Sequence, residues 1–162
     1  MKPLKKSNAD KIVNVTNVAS TSVSIQAGRS KFETELQVRP DDIDMNQHVH
    51  ASRYMDYVLA ARYDQMARCY RMSMEEFIQA GYGWFVRACH IEFKRPLGLG
   101  DYFVVRTWIE DLLKDTVSVH FQITKKATGK LCCDGYFLYT MVSLKTNRAE
   151  VIPEWILQKY SI

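Results

Sequence analysis

The spacing of apolar and polar positions switches between a two-residue and a helical period along the chain. In "KFETELQV", residues 31–38, Phe32, Thr34, Leu36 and Val38 fall on one side and Glu33, Glu35 and Gln37 on the other, which predicts a half-buried strand. "RPDD" ends it, because Pro40 offers no donor to a strand ladder. Residues 52–70, "SRYMDYVLAARYDQMARCY", contain no Gly or Pro. Met55, Val58, Leu59, Arg62 and Met66 recur there at helical spacing, with Tyr54, Ala61 and Gln65 beside them, so a long and largely buried helix is expected. "SMEEFIQAG" (73–81) predicts a short second helix, with Ser73 and Glu76 spaced as a capping box and Gly81 as its stop.

Four strand-like runs follow, at 82–96, 100–112, 115–126 and 130–146, separated by short turns and expected to form a meander. The tail closes with one helical turn after Pro153. Before residue 31, a polar Lys-rich stretch leads into a run rich in Val, Ile, Thr and Ser, so 1–30 read as an extension, a tail or peripheral strands. No linker or repeat divides 31–162, which is expected to be one domain. A long helix followed by antiparallel strands is α+β, and the simplest packing wraps a curved antiparallel sheet around that helix. Open sheet edges are an aggregation liability, which a symmetric dimer that pairs edge strands would remove.

At 162 residues, with 47% hydrophobic and 25% charged positions, the chain suits one soluble globular domain with a sizeable core. Nine Tyr, seven Phe and three Trp can fill that core or line an apolar pocket. A net charge of +4 fits an anionic small ligand or an acidic partner and is too small to argue for nucleic acid. The four Cys form no C-x-x-C pair, and Cys132 and Cys133 are adjacent, so a reducing, cytoplasmic compartment is expected, with one of that pair buried and inert. "MKPLKK" is not followed by an apolar run, and no stretch approaches the ~20 apolar residues of a membrane span. Nothing calls for a cofactor or a metal.

The chemistry concentrates in "DDIDMNQHVHASRYMDYV", residues 41–58, at the mouth of the long helix. One Asp or Asn would meet a capping need, so the excess asks for a second reason. Asp44, Asn46 and His48 are spaced two apart. In an extended segment their side chains would point to one side, about 7 Å apart per step. A carboxylate, an amide and an imidazole would then converge near a helix N-terminus, whose free N–H groups can hold a developing oxyanion. The carboxylate can attack an acyl carbonyl or activate water against it, which suits acyl transfer to water. Asp is also a common turn and cap residue, and Asp41, Asp42 and Asp44 have that simpler reading, with Asp42 as an orienting group. His50 reads as a boundary residue, and His90 and His120 as ordinary strand residues.

"DIDMNQHVHASRYMDYV" resembles the D-x-D-x-N-x-H-V-N-N-x-x-Y segment of acyl-ACP thioesterases of the hotdog fold and, more loosely, the 4-hydroxybenzoyl-CoA thioesterase group. "IEFKRPLGLGD" (91–101) is similar to a later strand of that superfamily. The resemblance implies a single hotdog domain and a thioester hydrolase acting on an acyl-CoA or acyl-ACP. By position it implies Asp44 as the catalytic carboxylate, Asn46 and His48 as its supports, and Ala51 as the backbone donor to the thioester carbonyl. His50-Ala51 replaces the usual Asn-Asn pair, and Glu92 is a distant candidate for a further acid. The resemblance also implies a homodimer, with Tyr54, Arg53, Arg87, Lys94 and Arg95 as candidate substrate-binding residues. Two rivals stay open: a hydratase or dehydratase built on His48 with a nearby acid, and a non-catalytic acyl-thioester-binding protein.

Overall fold

The computed structural model describes residues 30–162; the expectations for 1–29 lie outside the described residues. Strand β1 (Phe32–Gln37) leads through a 3-10 turn (Pro40–Asp42) to helix α1 (Arg53–Arg68) and helix α2 (Met74–Gln79). Strands β2 (Tyr82–Phe93), β3 (Tyr102–Leu112), β4 (Thr116–Lys125) and β5 (Leu131–Ser143) follow, and helix α3 (Glu154–Tyr160) closes the chain. The sheet runs β1-β3-β4-β5-β2, with every neighbouring pair antiparallel. This is an α+β hotdog, an antiparallel sheet curved around the long helix.

Three expectations change here. Only β3-β4-β5 is a meander: β2 pairs with β5 at the far edge instead of with β3. The connection through Leu97–Gly98 carries the chain from one side of the sheet to the other, so β2 and β1 are the two edges. The apolar stripe of α1 is also rotated. Tyr54, Tyr57, Val58, Ala61, Arg62, Gln65 and Met66 are buried, whereas Met55 and Leu59 remain partly exposed. Aromatic Tyr54 and Tyr57 bury more surface than Met55 and Leu59 would, and they take the core side. The C-terminal helix has seven residues, longer than the single turn expected.

The sheet face under α1 follows from strict alternation. In β3, Phe103, Val105, Thr107 and Ile109 point inward, and a bulge between Ile109 and Asp111 brings Leu112 back to the same side. Phe103, Phe121 and Phe137 are fully buried beneath Val58 and Ala61. Burying each such ring is worth roughly 1.5–3 kcal/mol. A second cluster under α2 and α3 gathers Phe77, Met72, Ile109, Val119, Met141 and Ile156. The capping box of α2 forms as expected: Glu76 N–H donates to Ser73 Oγ, and Ser73 N–H donates to Glu76 Oε2. Cys132 and Cys133 are both buried, because a register shift where β5 meets β4 turns Cys132 inward as well. Burial pushes the Cys133 thiol up to about 12. Among the described residues no helix is long and apolar enough to cross a membrane, and no group of three or more His, Cys, Asp or Glu could hold a metal.

Candidate active site

The segment between β1 and α1 is not extended. Ile43 and Val49 form an antiparallel bridge, and Asp44 N–H donates to the His48 carbonyl at 2.8 Å. Gln47 N–H donates to the Asp44 carbonyl at 3.0 Å, and Gln47 takes the left-handed conformation, φ 62°. Residues 44–48 are therefore a tight turn and not the extended segment expected. The turn still keeps the Asn46 amide and the His48 ring close enough to act on the Asp44 carboxyl, and the spacing serves the backbone as well. Asp44 Oδ1 accepts the N–H of Asn46 at 2.8 Å and of His48 at 3.3 Å. These bonds, the Asn46 N–H first, hold the Asp44 carboxyl below the usual carboxylate range against the opposing effect of burial. The side chains of Asn46 and His48 stay exposed at the rim of the turn.

Asp42 sits two residues earlier and does the opposite job. It is buried, and its carboxylate accepts from Arg39 Nε at 2.9 Å, from Arg39 Nη2 at 3.2 Å and from the Tyr57 hydroxyl at 2.7 Å. Arg53 Nε lies 3.4 Å away. The Arg39 hydrogen bond, acting against burial, lowers the Asp42 carboxyl, and burial with Asp42 beside it raises the Tyr57 phenol. The Asp42 carbonyl also accepts His50 N–H at 2.9 Å. Asp42 thus fastens the turn to α1, the anchoring role foreseen for it.

The second motif holds the turn from the other side. His48 bridges to Gly98, and Val49 N–H donates to the Leu97 carbonyl at 2.9 Å. Asp101 Oδ2 accepts Gly98 N–H at 2.8 Å and pairs with Lys125 at 2.7 Å. Burial works to raise the Asp101 carboxyl, but the Lys125 and Gly98 bonds keep it below its ordinary value.

Among the crowded polar side chains only His50 meets the start of α1: its Nδ1 accepts Ser52 N–H at 3.3 Å, and its carbonyl accepts Arg53 N–H at 2.9 Å. The N-cap Ser52 makes no side-chain bond to the helix; its hydroxyl lies 2.9 Å from His50 Nδ1. Among the described residues nothing accepts the N–H of Ala51. The helix therefore presents an uncapped, partially positive N-terminus at the same turn that fixes Asp44.

The five candidate binding residues separate. Tyr54 is buried, with its hydroxyl accepting Leu97 N–H at 3.1 Å and its ring edge-on to Phe93 at 5.2 Å, so it braces the turn rather than facing a ligand. Arg53 is engaged by Asp42 and Asp56, Lys94 by Glu92 and Asp134, and Arg95 by the Leu131 carbonyl. Arg87 is exposed at a bulge of β2 with no partner among the described residues. Glu92 lies with His90, Tyr136, His120 and Trp108 on the sheet face away from α1, apart from Asp44 within the chain. Sequence reasoning missed Arg39, whose i,i+3 spacing to Asp42 was the available signal, and a cavity of ≈ 320 Å³ beside the far half of α1.

A sequence model of the thioesterase-like superfamily matches residues 38–160. The chain belongs to this superfamily. It is 24% identical over 118 residues to the long-chain acyl-CoA thioesterase FadM of Escherichia coli strain K12, a match spanning 73% of this chain and 88% of FadM. Among solved structures it is similar to the hypothetical protein TT1821 of Thermus thermophilus, with TM-score 0.74, 26% identity and 80% and 96% of the two chains covered. The hypothetical protein SAV2348 of Staphylococcus aureus, solved in complex with CoA, matches with TM-score 0.73 and 22% identity over 81% of this chain and 82% of that one.

Proposed function

We propose that this member of the thioesterase-like superfamily hydrolyses acyl-CoA thioesters, with residues 31–162 as the catalytic unit. The observation that carries the reading is the pairing of an ionised, backbone-held carboxylate, Asp44, with the uncapped N-terminus of α1 at one turn. The free N–H of Ala51 receives the carbonyl oxygen as it becomes an oxyanion. Because Asp44 is held below the usual range it is ionised at neutral pH, and in the reading we favour it attacks the carbonyl carbon. The C–S bond breaks and the thiolate departs; water then opens the mixed anhydride, giving the free acid, the restored carboxylate and the proton that converts the thiolate to thiol. Asn46 and His48 supply the N–H groups that aim Asp44, and their exposed side chains line the approach.

CoA is favoured over acyl carrier protein by FadM, whose name specifies acyl-CoA, and by the CoA complex of SAV2348. The unpaired Arg87 offers a contact for its phosphates. The working form is a homodimer. Edge strand β2 leaves one side unpaired over twelve residues, and Phe85 on it is 61% exposed, with Val86 beside it and Leu59 and Tyr63 uncovered on α1.

Purified protein screened against acyl-CoA and acyl-ACP substrates, with Asp44→Asn in parallel, tests the activity. Acyl-CoA hydrolysis lost by about 10²-fold or more in the variant is expected. Equal rates would remove Asp44 from the mechanism, and conversion of an enoyl or 3-hydroxyacyl thioester without free thiol would favour a hydratase. Sedimentation of wild type and Phe85→Lys reads the assembly: a dimer is expected for the first and a monomer for the second.

A further inference from the structure

The cavity of ≈ 320 Å³ lies between α1, the sheet and α3. Its walls are apolar, from Leu59, Met66, Trp84, Val119, Tyr139 and Ile156, with two exceptions. Arg62 is only 7% exposed, yet no carboxylate among the described residues pairs with it. Of the five N–H donors of a guanidinium, one reaches Thr107 Oγ1 at a long 3.5 Å and another is felt by the Tyr70 hydroxyl, which leaves most of them unused. Thr107 in turn donates to Gln65 Oε1, so the Arg62 head is anchored from behind. The guanidinium also lies over the ring of Tyr70, 5.2 Å from its centroid. The second exception is Tyr160, 4% exposed, whose buried hydroxyl has no hydrogen-bond partner. The charge of Arg62 is felt at Tyr70, Tyr139 and Tyr160 alike, where it opposes the upward push of burial.

A buried cation without a counter-ion and a buried hydroxyl without a partner are both costly. An apolar cavity that holds both is built to receive an acceptor at the end of an apolar chain. A carboxylate fits: it can take two parallel N–H bonds from the guanidinium and a third from a hydroxyl.

We propose that this cavity binds the far end of an acyl group bearing a terminal carboxylate, so that the substrates are half-thioesters of dicarboxylic acids. This rests on the thioesterase reading. Arg62 lies about 13 Å along the helix axis from its first residue, a span that an extended chain of roughly ten carbons covers. The cavity volume agrees, holding roughly ten water-sized units at ~30 Å³ each.

The test compares decanoyl-CoA with the mono-CoA thioester of sebacic acid, for wild type, Arg62→Met and Tyr160→Phe. In wild type the carboxylated substrate is expected to have the higher kcat/KM, by about tenfold or more, the range of a charge-assisted pair. Arg62→Met should lower the ratio of the two by about 10²-fold, and Tyr160→Phe by roughly three- to tenfold. A ratio unmoved in both variants, or a wild type that prefers decanoyl-CoA, overturns the proposal. Arg62→Met should melt no lower than wild type, because an apolar isostere replaces an unpaired buried charge. If it fails to fold, the Tyr160→Phe ratio decides. If wild type hydrolyses neither thioester, the thioesterase reading falls, and calorimetric titration still reads the cavity. There decanoate should bind about tenfold tighter than decanol to wild type and no tighter than decanol to Arg62→Met. Equal binding of the two by wild type overturns the site.

Discussion

The two ends of α1 handle polar groups in opposite ways. At its mouth the acidic side chains are answered from the turn and the first turns of the helix: Asp42 by Arg39, Arg53 and Tyr57, and Asp44 by the N–H groups of Asn46 and His48. What stays unanswered is backbone, the uncapped first turn of the helix. Three turns further on the backbone is satisfied within the helix and the side chains are not: Arg62 and Tyr160 face an apolar cavity. Gln65, one turn beyond Arg62, marks the limit of that region, since it donates to Phe32, Thr34 and Val105 and accepts from Thr107. Along α1, unmet hydrogen-bonding capacity thus falls in two places, one suited to a developing oxyanion and the other to a formed anion.

The largest effect expected is on rate. Asp44→Asn keeps an oxygen for the turn but removes the charge, so hydrolysis should fall by about 10²-fold or more while the melting temperature stays close to wild type. A large loss of stability instead would make Asp44 a turn residue like its neighbour. Because the Asp44 carboxyl is held low, it stays ionised as pH falls to ~4, and any acid limb in kcat/KM above that value belongs to another group.

The next effect is on folding. Gln65→Met should cost roughly 2–3 kcal/mol in urea unfolding, since it strands the buried Thr107 hydroxyl and the carbonyls of Phe32 and Val105. It also removes the brace behind Arg62. A neutral result would mean that the polar centre of α1 is not a structural divide between its two ends.

Asp42→Asn should cost less, about 1–2 kcal/mol at neutral pH, because the Arg39 and Arg53 side chains are about half exposed and partly screened. The sign of its pH dependence follows from the lowered carboxyl. That group contributes stability above its unfolded value of ~3.9 and loses it as pH falls through the folded value. Melting curves at pH 7 and pH 3 should show the gap between wild type and Asp42→Asn closing on acidification. A gap that persists at pH 3 would mean that packing, not charge, fastens the turn.

Much of this was legible in the chain, for identifiable reasons. Strict alternation in 31–38 placed β1, the strand-like run at 100–112 placed β3, and the Ser73–Glu76 spacing placed the cap of α2, because these signals are local. The strand order was not legible: pairing β2 with β5 depends on a crossover that no local pattern encodes. At the mouth of α1 the residue types pointed to the right turn but to the wrong geometry. Two-residue spacing looks the same whether side chains line up in an extended segment or an Asp accepts N–H groups in a turn. Arg62 was read as part of an apolar stripe, which was right for its burial and silent about its missing partner. A missing partner is a property of the assembled core, where Thr107 and Tyr160 arrive from distant sequence.

The smallest effect expected sits at the turn itself. Gln47 is the residue that lets the chain reverse between Asp44 and His48, and it does so in the left-handed region. There a side chain crowds the following carbonyl, at a cost of roughly 1 kcal/mol that glycine does not bear. Glycine loses more freedom on folding, so the net gain from Gln47→Gly is about 0.5 kcal/mol, a rise in melting temperature of roughly 1–4 °C. Gln47 is exposed and its side chain is used in none of the bonds that hold Asp44, so the turn should keep its geometry. The informative readout is therefore the rate. If the turn only positions Asp44, Gln47→Gly is slightly more stable and turns over at nearly the wild-type rate. If backbone strain at Gln47 is needed to aim the carboxylate, stability rises while kcat falls and KM is unchanged. That split would show that the mouth of α1, although its charged side chains are all paired, also holds its groups under tension.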